Sequence, residues 1–294
     1  MRHPGHDRLE NPHVNVPRIA FLDVDGTILD HGRTIAPSTV EAVRAARAAG
    51  CLVFLCTGRS SGDIDARVLG IGFDGAITNG GAYATYGDEV IVADPMPRDA
   101  VECMTTYFEE RGLLYFLQTD AAVYASRETQ AATAAFMEQA LSAHDDADEP
   151  QTAPQGIPRF HDLAEADLDH VAKAVFLGDD PGTVTRTREE LGDRFHVVTG
   201  SMPLPGGTNG EIGMSGTTKG SAIQRVLDRL GIDAAASIGI GDSWNDVEMF
   251  EVCGVGIAMG NADEALKARA DEVTTSIHHD GVWNAFVRHG LVAG

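Results

Sequence analysis

Short apolar runs recur along the chain, and each stops abruptly at a polar, glycine-containing turn. Ile19-Ala20-Phe21-Leu22 runs into Asp23-Val24-Asp25-Gly26-Thr27, and the stretch from Cys51 to Cys56 runs into Thr57-Gly58-Arg59. Ala76-Ile77-Thr78 leads to Asn79-Gly80-Gly81, Ala236 to Ile240 leads to Gly241-Asp242-Ser243-Trp244-Asn245-Asp246, and Val255 to Met259 forms one more run. Runs this short and continuous predict strands buried on both faces of a parallel sheet. Helical patterns separate them. One follows Ser38-Thr39-Val40-Glu41, which has the spacing of a capping box, and stops at Gly50. Others run from Lys219 to Leu230 before Gly231, from Asn261 to Ala270, and over 281–289. The alternation predicts an α/β fold with a parallel sheet.

The rhythm breaks between Pro97 and Thr208, after a hairpin predicted over 82–93. Helices are expected over 98–111, 128–142 and 181–191, and strands over 113–118, 121–125, 171–177 and 194–199. An acidic, proline-containing loop spans 143–158. The block reads as an inserted second domain. The expected division is a flexible tail over 1–16, a core over 17–96 and 209–294, and an insertion over 97–208. His3, His6 and His13 read as part of an unordered tail rather than as metal ligands.

Composition narrows the partners. The 294 residues carry 44 acidic against 22 basic side chains, a formal charge of −22, which argues against nucleic acid and anionic membranes. A small anionic substrate remains compatible, because it needs only a local cationic pocket and a metal. With 43% apolar residues the chain can bury a sizeable core. Cys51, Cys56, Cys103 and Cys253 have no C-x-x-C spacing and read as reduced thiols. The first 18 residues hold no apolar signal core and no run is long enough to span a bilayer, so the cytoplasm is the expected location. A monomer or weak homo-oligomer is expected.

The strand-end turns carry the candidate chemistry. In doubly wound sheets ligands collect beyond the carboxyl ends of the strands, where Asp23 and Asp25 fall. Two carboxylates two residues apart repel unless a cation joins them, and Mg²⁺ suits an all-oxygen site shared with phosphate and water. A solvated Asp/Gly turn is the other reading. Thr57 suits a phosphate oxygen, or stands in an ordinary β-to-α turn. Lys219 sits near a helix N-terminus, where a cation is unfavourable unless an anion docks beside it; otherwise it is a solvated surface lysine. His278-His279 reads as a surface loop. Arg59 pairs with a core carboxylate or touches substrate, and Asn79 orients the nucleophile loop or caps a turn.

Together, Asp23-Val24-Asp25-Gly26-Thr27, Thr57-Gly58-Arg59, Lys219-Gly220 and Gly241-Asp242-Ser243-Trp244-Asn245-Asp246 resemble the haloacid dehalogenase-like (HAD) hydrolase superfamily. Thr78-Asn79-Gly80-Gly81 and the insertion resemble its Cof-type branch, subfamily IIB. The resemblance implies a Rossmann-like parallel-sheet core with an inserted α/β cap of the C2 type, and a Mg²⁺-dependent phosphatase of small phosphorylated metabolites, sugar phosphates first. It implies Asp23 as nucleophile and metal ligand, and Asp25 as acid/base binding metal through its backbone carbonyl. Thr57 and Gly58 would hold the phosphate beside Lys219 and Asn245. Asp242 would bind the metal, and Asp246 would support Lys219 or the metal site. A phosphomutase of the same fold and a silent binding or regulatory protein are the rival readings.

Overall fold

The computed structural model describes residues 16–30, 34–142, 159–200 and 208–293. The tail histidines and the acidic loop over 143–158 lie outside the described residues. Two sheets organise the chain. The larger has the strand order Glu272–Val273, Val255–Ala258, Ser237–Gly241, Ile19–Leu22, Leu52–Cys56, Gly75–Thr78, Tyr83–Tyr86, Glu89–Ala93. Its first six strands are parallel, and the last two form an antiparallel hairpin on the edge. Every residue of Ile19–Leu22 is buried, as an apolar run in a two-sided sheet requires. Val24, Val53 and Leu55 pack with the helices Pro37–Ala48 and Gly281–Arg288 on one face. Phe21, Phe54 and Ile77 pack with the helix Lys219–Leu230 on the other.

The second sheet has the order Phe160–Asp162, Val123–Ala125, Leu114–Thr119, Val171–Leu177, Asn209–Met214, Phe195–Thr199, and is antiparallel except for its first pair. The helices Arg98–Glu110 and Thr183–Leu191 cover one face through Met104, Phe108 and Val184 against Ala174, Phe176, Val197 and Ile212.

Three local expectations are corrected. The sequence places the return to the core at residue 209, but Asn209–Met214 pairs with two strands of the second sheet. Its glycines hide it from a pattern search, and one of them is needed: a Cβ on Gly210 would meet the Phe176 ring at 2.3 Å. The capping box at Ser38 does not form. Pro37 starts that helix with its preset φ, while Ser38 Oγ donates to Asp280 at 2.6 Å. The helix expected over 261–270 shrinks to Glu264–Lys267, because extended Asp263 caps it, accepting from Leu266 N–H at 2.8 Å, while the Asn261 side chain before it donates to Gly26 O and accepts from Ile277 N–H, both at 2.9 Å.

Candidate active site

Three neighbouring parallel strands deliver the chemistry at their carboxyl ends. Ile19–Leu22 in the middle ends in Asp23, Leu52–Cys56 in Thr57 and Gly58, and Ser237–Gly241 in Asp242. Asp23 N–H continues the pairing by donating to Ile240 O at 2.9 Å, so the carboxylate is held on a sheet end rather than on a free loop. Gly26 turns the chain back with φ +85°, and a Cβ there would lie 2.1 Å from Asp242 Oδ2. The turn therefore needs glycine both for its backbone and for the close approach of Asp242.

Lys219 is the cation of the site. Thr218 caps its helix, accepting from Ser221 N–H while Ser221 Oγ accepts from Thr218 N–H. From this first helical position Lys219 Nζ donates to Asp23 Oδ1 at 2.6 Å, Asp246 Oδ1 at 2.5 Å and Asn245 Oδ1 at 3.2 Å. Three acceptors match the three donors of an ammonium. With 1% of its surface exposed, Lys219 is not a solvated lysine. Burial works against its charge, but Asp23 and Asp246 outweigh it and hold the ammonium well above its ordinary pKa.

Carboxylate oxygens of Asp23, Asp242 and Asp246 gather within 4.8 Å of one another. Asp246 has both oxygens engaged, since Oδ2 accepts from the Asp242 and Ser243 N–H groups at 3.0 Å. Burial raises the Asp23 carboxyl well above the carboxylate range, with Asp246, Asp242 and Asp25 adding to the shift and Lys219 opposing it. Burial, then Asp246, pushes Asp242 up to about 7, against Lys219 and a 3.2 Å hydrogen bond from Thr27 Oγ1. Buried carboxylates crowded this way attract a hard cation, and this all-oxygen donor set fits Mg²⁺. Among the described residues no imidazole or thiol joins the cluster. His279 Nδ1 instead meets Ser276 Oγ on the surface.

The remaining residues divide between the cluster and its surroundings. The Asp25 carboxylate turns away from the cluster into a fork with Arg59, at 2.7 Å for both Nε and Nη2. That resolves the choice for Arg59 in favour of a core carboxylate. Asn245 Oδ1 also accepts from Ser243 Oγ at 2.8 Å, and its amide nitrogen lies 3.6 Å from where a Gly58 Cβ would stand. Buried Thr57 has its hydroxyl accepting from Arg59 N–H at 3.1 Å. Asn79, at φ 53°, does not reach the nucleophile loop through its amide. Its Nδ2 donates to Asp120 at 2.9 Å and its Oδ1 accepts from Gln118 at 2.7 Å, both on the second sheet's side. Trp244 is exposed and donates to Asp263.

Sequence reasoning missed Gln118, Asp120, Lys173, Glu211 and Asn261. Asp120 accepts from Ser61, Thr78 and Asn79, tying the second sheet to the core. Lys173 did leave a signal, as the one charged residue in the wholly buried strand Val171–Leu177.

The family model for haloacid dehalogenase-like hydrolases matches residues 20–286. The chain belongs to that family, and among its relatives it stands with the phosphatases. It is 29% identical over 267 residues to the pyridoxal phosphate phosphatase YbhA of Escherichia coli, covering 87% of this chain and 92% of that protein. It is 28% identical over 272 residues to the 5-amino-6-(5-phospho-D-ribitylamino)uracil phosphatase YwtE of Bacillus subtilis, covering 89% and 94%. The solved structure of the HAD subclass IIB sugar phosphatase BT4131 superimposes with a TM-score of 0.74 at 25% identity, over 94% of this chain and 100% of that one. Among the described residues no helix is long and apolar enough to cross a membrane.

Proposed function

We propose that the chain is a Mg²⁺-dependent phosphatase of small phosphorylated metabolites, sugar phosphates foremost, acting in the cytoplasm as a monomer or weak homo-oligomer. The observation that carries the reading is Asp23, buried on a strand end with Lys219 Nζ 2.6 Å from one oxygen and Asp242 beside it. Asp23 attacks phosphorus, forming an O–P bond as the ester P–O bond breaks, which leaves an aspartyl-phosphate. Asp25 protonates the leaving oxygen, then takes a proton from the water that attacks the phosphorus in the second step. Both Asp25 oxygens are in the Arg59 fork, so this role requires the carboxylate to swing out of that fork when substrate arrives. Thr57, the Gly58 backbone, Asn245 and Lys219 surround the phosphate and stabilise its equatorial oxygens. Asp23, the Asp25 carbonyl and Asp242 would hold Mg²⁺, which when bound neutralises the crowded carboxylates and the phosphate charge. Phosphate release from a panel of phosphorylated metabolites tests the reading. Turnover is expected with Mg²⁺, reversible silence with EDTA, and inhibition by Ca²⁺, whose larger and looser coordination misplaces the nucleophile. Full activity after thorough chelation would overturn it.

A further inference from the structure

A row of side chains crosses the second sheet. The strand register aligns Gln118 with Lys173, Lys173 with Gly213, and Gly213 with His196. Residues aligned across neighbouring strands share one face of a sheet. The opposite face is the apolar one, where Ala174, Phe176 and Ile212 pack with the helices. Lys173, Gly213 and His196 of this row instead line a cavity shared with Asn79, Lys219, Asn245 and Glu248 of the core. Glu211, two positions from Gly213, joins the same face, and its carboxylate accepts from Lys173 Nζ at 2.5 Å. Gln118 Nε2 reaches the phosphate loop itself, donating to Gly58 O at 2.8 Å. A Cβ on Gly58 would stand 3.2 Å from Lys173 Nζ and 3.7 Å from Glu211 Oε2. The ion pair therefore stands directly against the loop expected to hold the phosphate, in the wall of the cavity.

Stability does not account for such a pair. The Lys173 and Glu211 side chains are 8% and 14% exposed, and desolvating two charges cancels most of what their attraction returns. Lys173 has two further N–H donors beyond the one that Glu211 accepts. We infer that Lys173 and Glu211 form a specificity-determining pair for the leaving group, selecting one that bears a hydroxyl on the carbon next to the phosphoester. The ammonium donates to that hydroxyl and the carboxylate accepts from it. The pair is neutral as a unit, and Glu248 faces the same cavity from the core, so an uncharged polyol fits where a second phosphate or carboxylate meets repulsion. The inference rests on the phosphatase reading above.

The test compares glycerol 1-phosphate with n-propyl phosphate, which matches it in length but lacks the hydroxyls, in wild type and in the Lys173→Met/Glu211→Leu double variant. Removing both charges together leaves neither buried alone, so the variant should fold, with a melting temperature within about 4 °C of wild type. Sites built to hydrogen-bond a hydroxyl discriminate steeply, so the wild-type ratio of kcat/KM for the two substrates should be about 100 or more. In the double variant that ratio should fall to near one. A purely structural role would lower both rates together and leave the ratio unchanged, which overturns the inference. So does a wild-type ratio near one with brisk phosphate release, an outcome that leaves the phosphatase reading standing. Release from neither alkyl phosphate nor p-nitrophenyl phosphate overturns that reading, and the pair's role falls with it.

Discussion

Replacing Lys219 with Met removes the cation on which the buried cluster depends while keeping the length and apolar stem of the side chain. The change deletes contacts of 2.6 and 2.5 Å to Asp23 and Asp246, which are 4% and 0% exposed. Breaking a buried ion pair by taking one partner costs about 3–5 kcal/mol, against a total stability of about 5–15 kcal/mol. With a urea slope of about 2–3 kcal/mol per molar, the unfolding midpoint should drop by about 1–2 M. The folded-state pKa of Lys219 lies above its ordinary value, so its contribution is fully present at neutral pH and lost only as pH climbs through that raised value. In the variant, Asp23 keeps the burial that raises its pKa and loses the ammonium that opposes it. An acid with a raised folded pKa stabilises the fold as it protonates, so the deficit should shrink as pH falls towards the carboxylate range. Trp283 packs half-buried against the core of the larger sheet and reports its unfolding by fluorescence, over the background of exposed Trp244. A midpoint within about 0.3 M of wild type at neutral pH, where about 1–2 M is expected, refutes the reasoning. A deficit that does not change with pH refutes it too.

Asp23→Asn should lower phosphate release by about 10⁴-fold, because an amide cannot attack phosphorus. Its melting temperature should stay close to that of wild type, because Asp246 still pairs with Lys219 and the crowding among the carboxylates is relieved; near-normal turnover would sink the mechanism. Because the metal-free protein holds the Asp242 carboxyl at about 7, protons compete there with the cation. Its raised folded pKa makes the metal-free fold lose stability as pH rises from the ordinary carboxylate value to about 7, and bound Mg²⁺ offsets that loss. The Mg²⁺-induced rise in melting temperature should therefore be full above that range and shrink as pH drops below about 7, and a rise constant across it contradicts the assignment. A mutase must hold a bisphosphorylated intermediate, yet residues 97–208 carry 20 acidic against 8 basic residues, a formal charge of −12. A hexose 1-phosphate given with its matching bisphosphate should yield inorganic phosphate and no 6-phosphate isomer; isomer appearing faster than phosphate favours the mutase.

By itself the sequence determined where five parallel strands of the core lie, because a strand buried on both faces must be an unbroken apolar run, whereas the short edge strand Glu272–Val273 has no such run. The polar residue that ends such a run is thereby placed at the sheet's carboxyl edge. This is why Asp23, Thr57 and Asp242 were legible as a group, although residue numbers far apart separate them. The change of rhythm after Pro97 marked where the second sheet's part of the chain begins, but that sheet's last strand in the chain was not legible. Asn209–Met214 has no apolar run, and only its partners on either side, and the Phe176 ring over Gly210, make it a strand. Tertiary structure alone decided the charge partners. Nothing local in the sequence joins Asp25 to Arg59, Lys173 to Glu211, or Asn79 to Asp120 and Gln118: the first pair meets at the end of the larger sheet, the second across neighbouring strands of the second sheet, and the third only where the two sheets face each other. Hydrophobic periodicity reports burial, which acts on each residue separately. Hydrogen bonds and ion pairs depend on ångström-scale distances between residues that the chain's order does not place together.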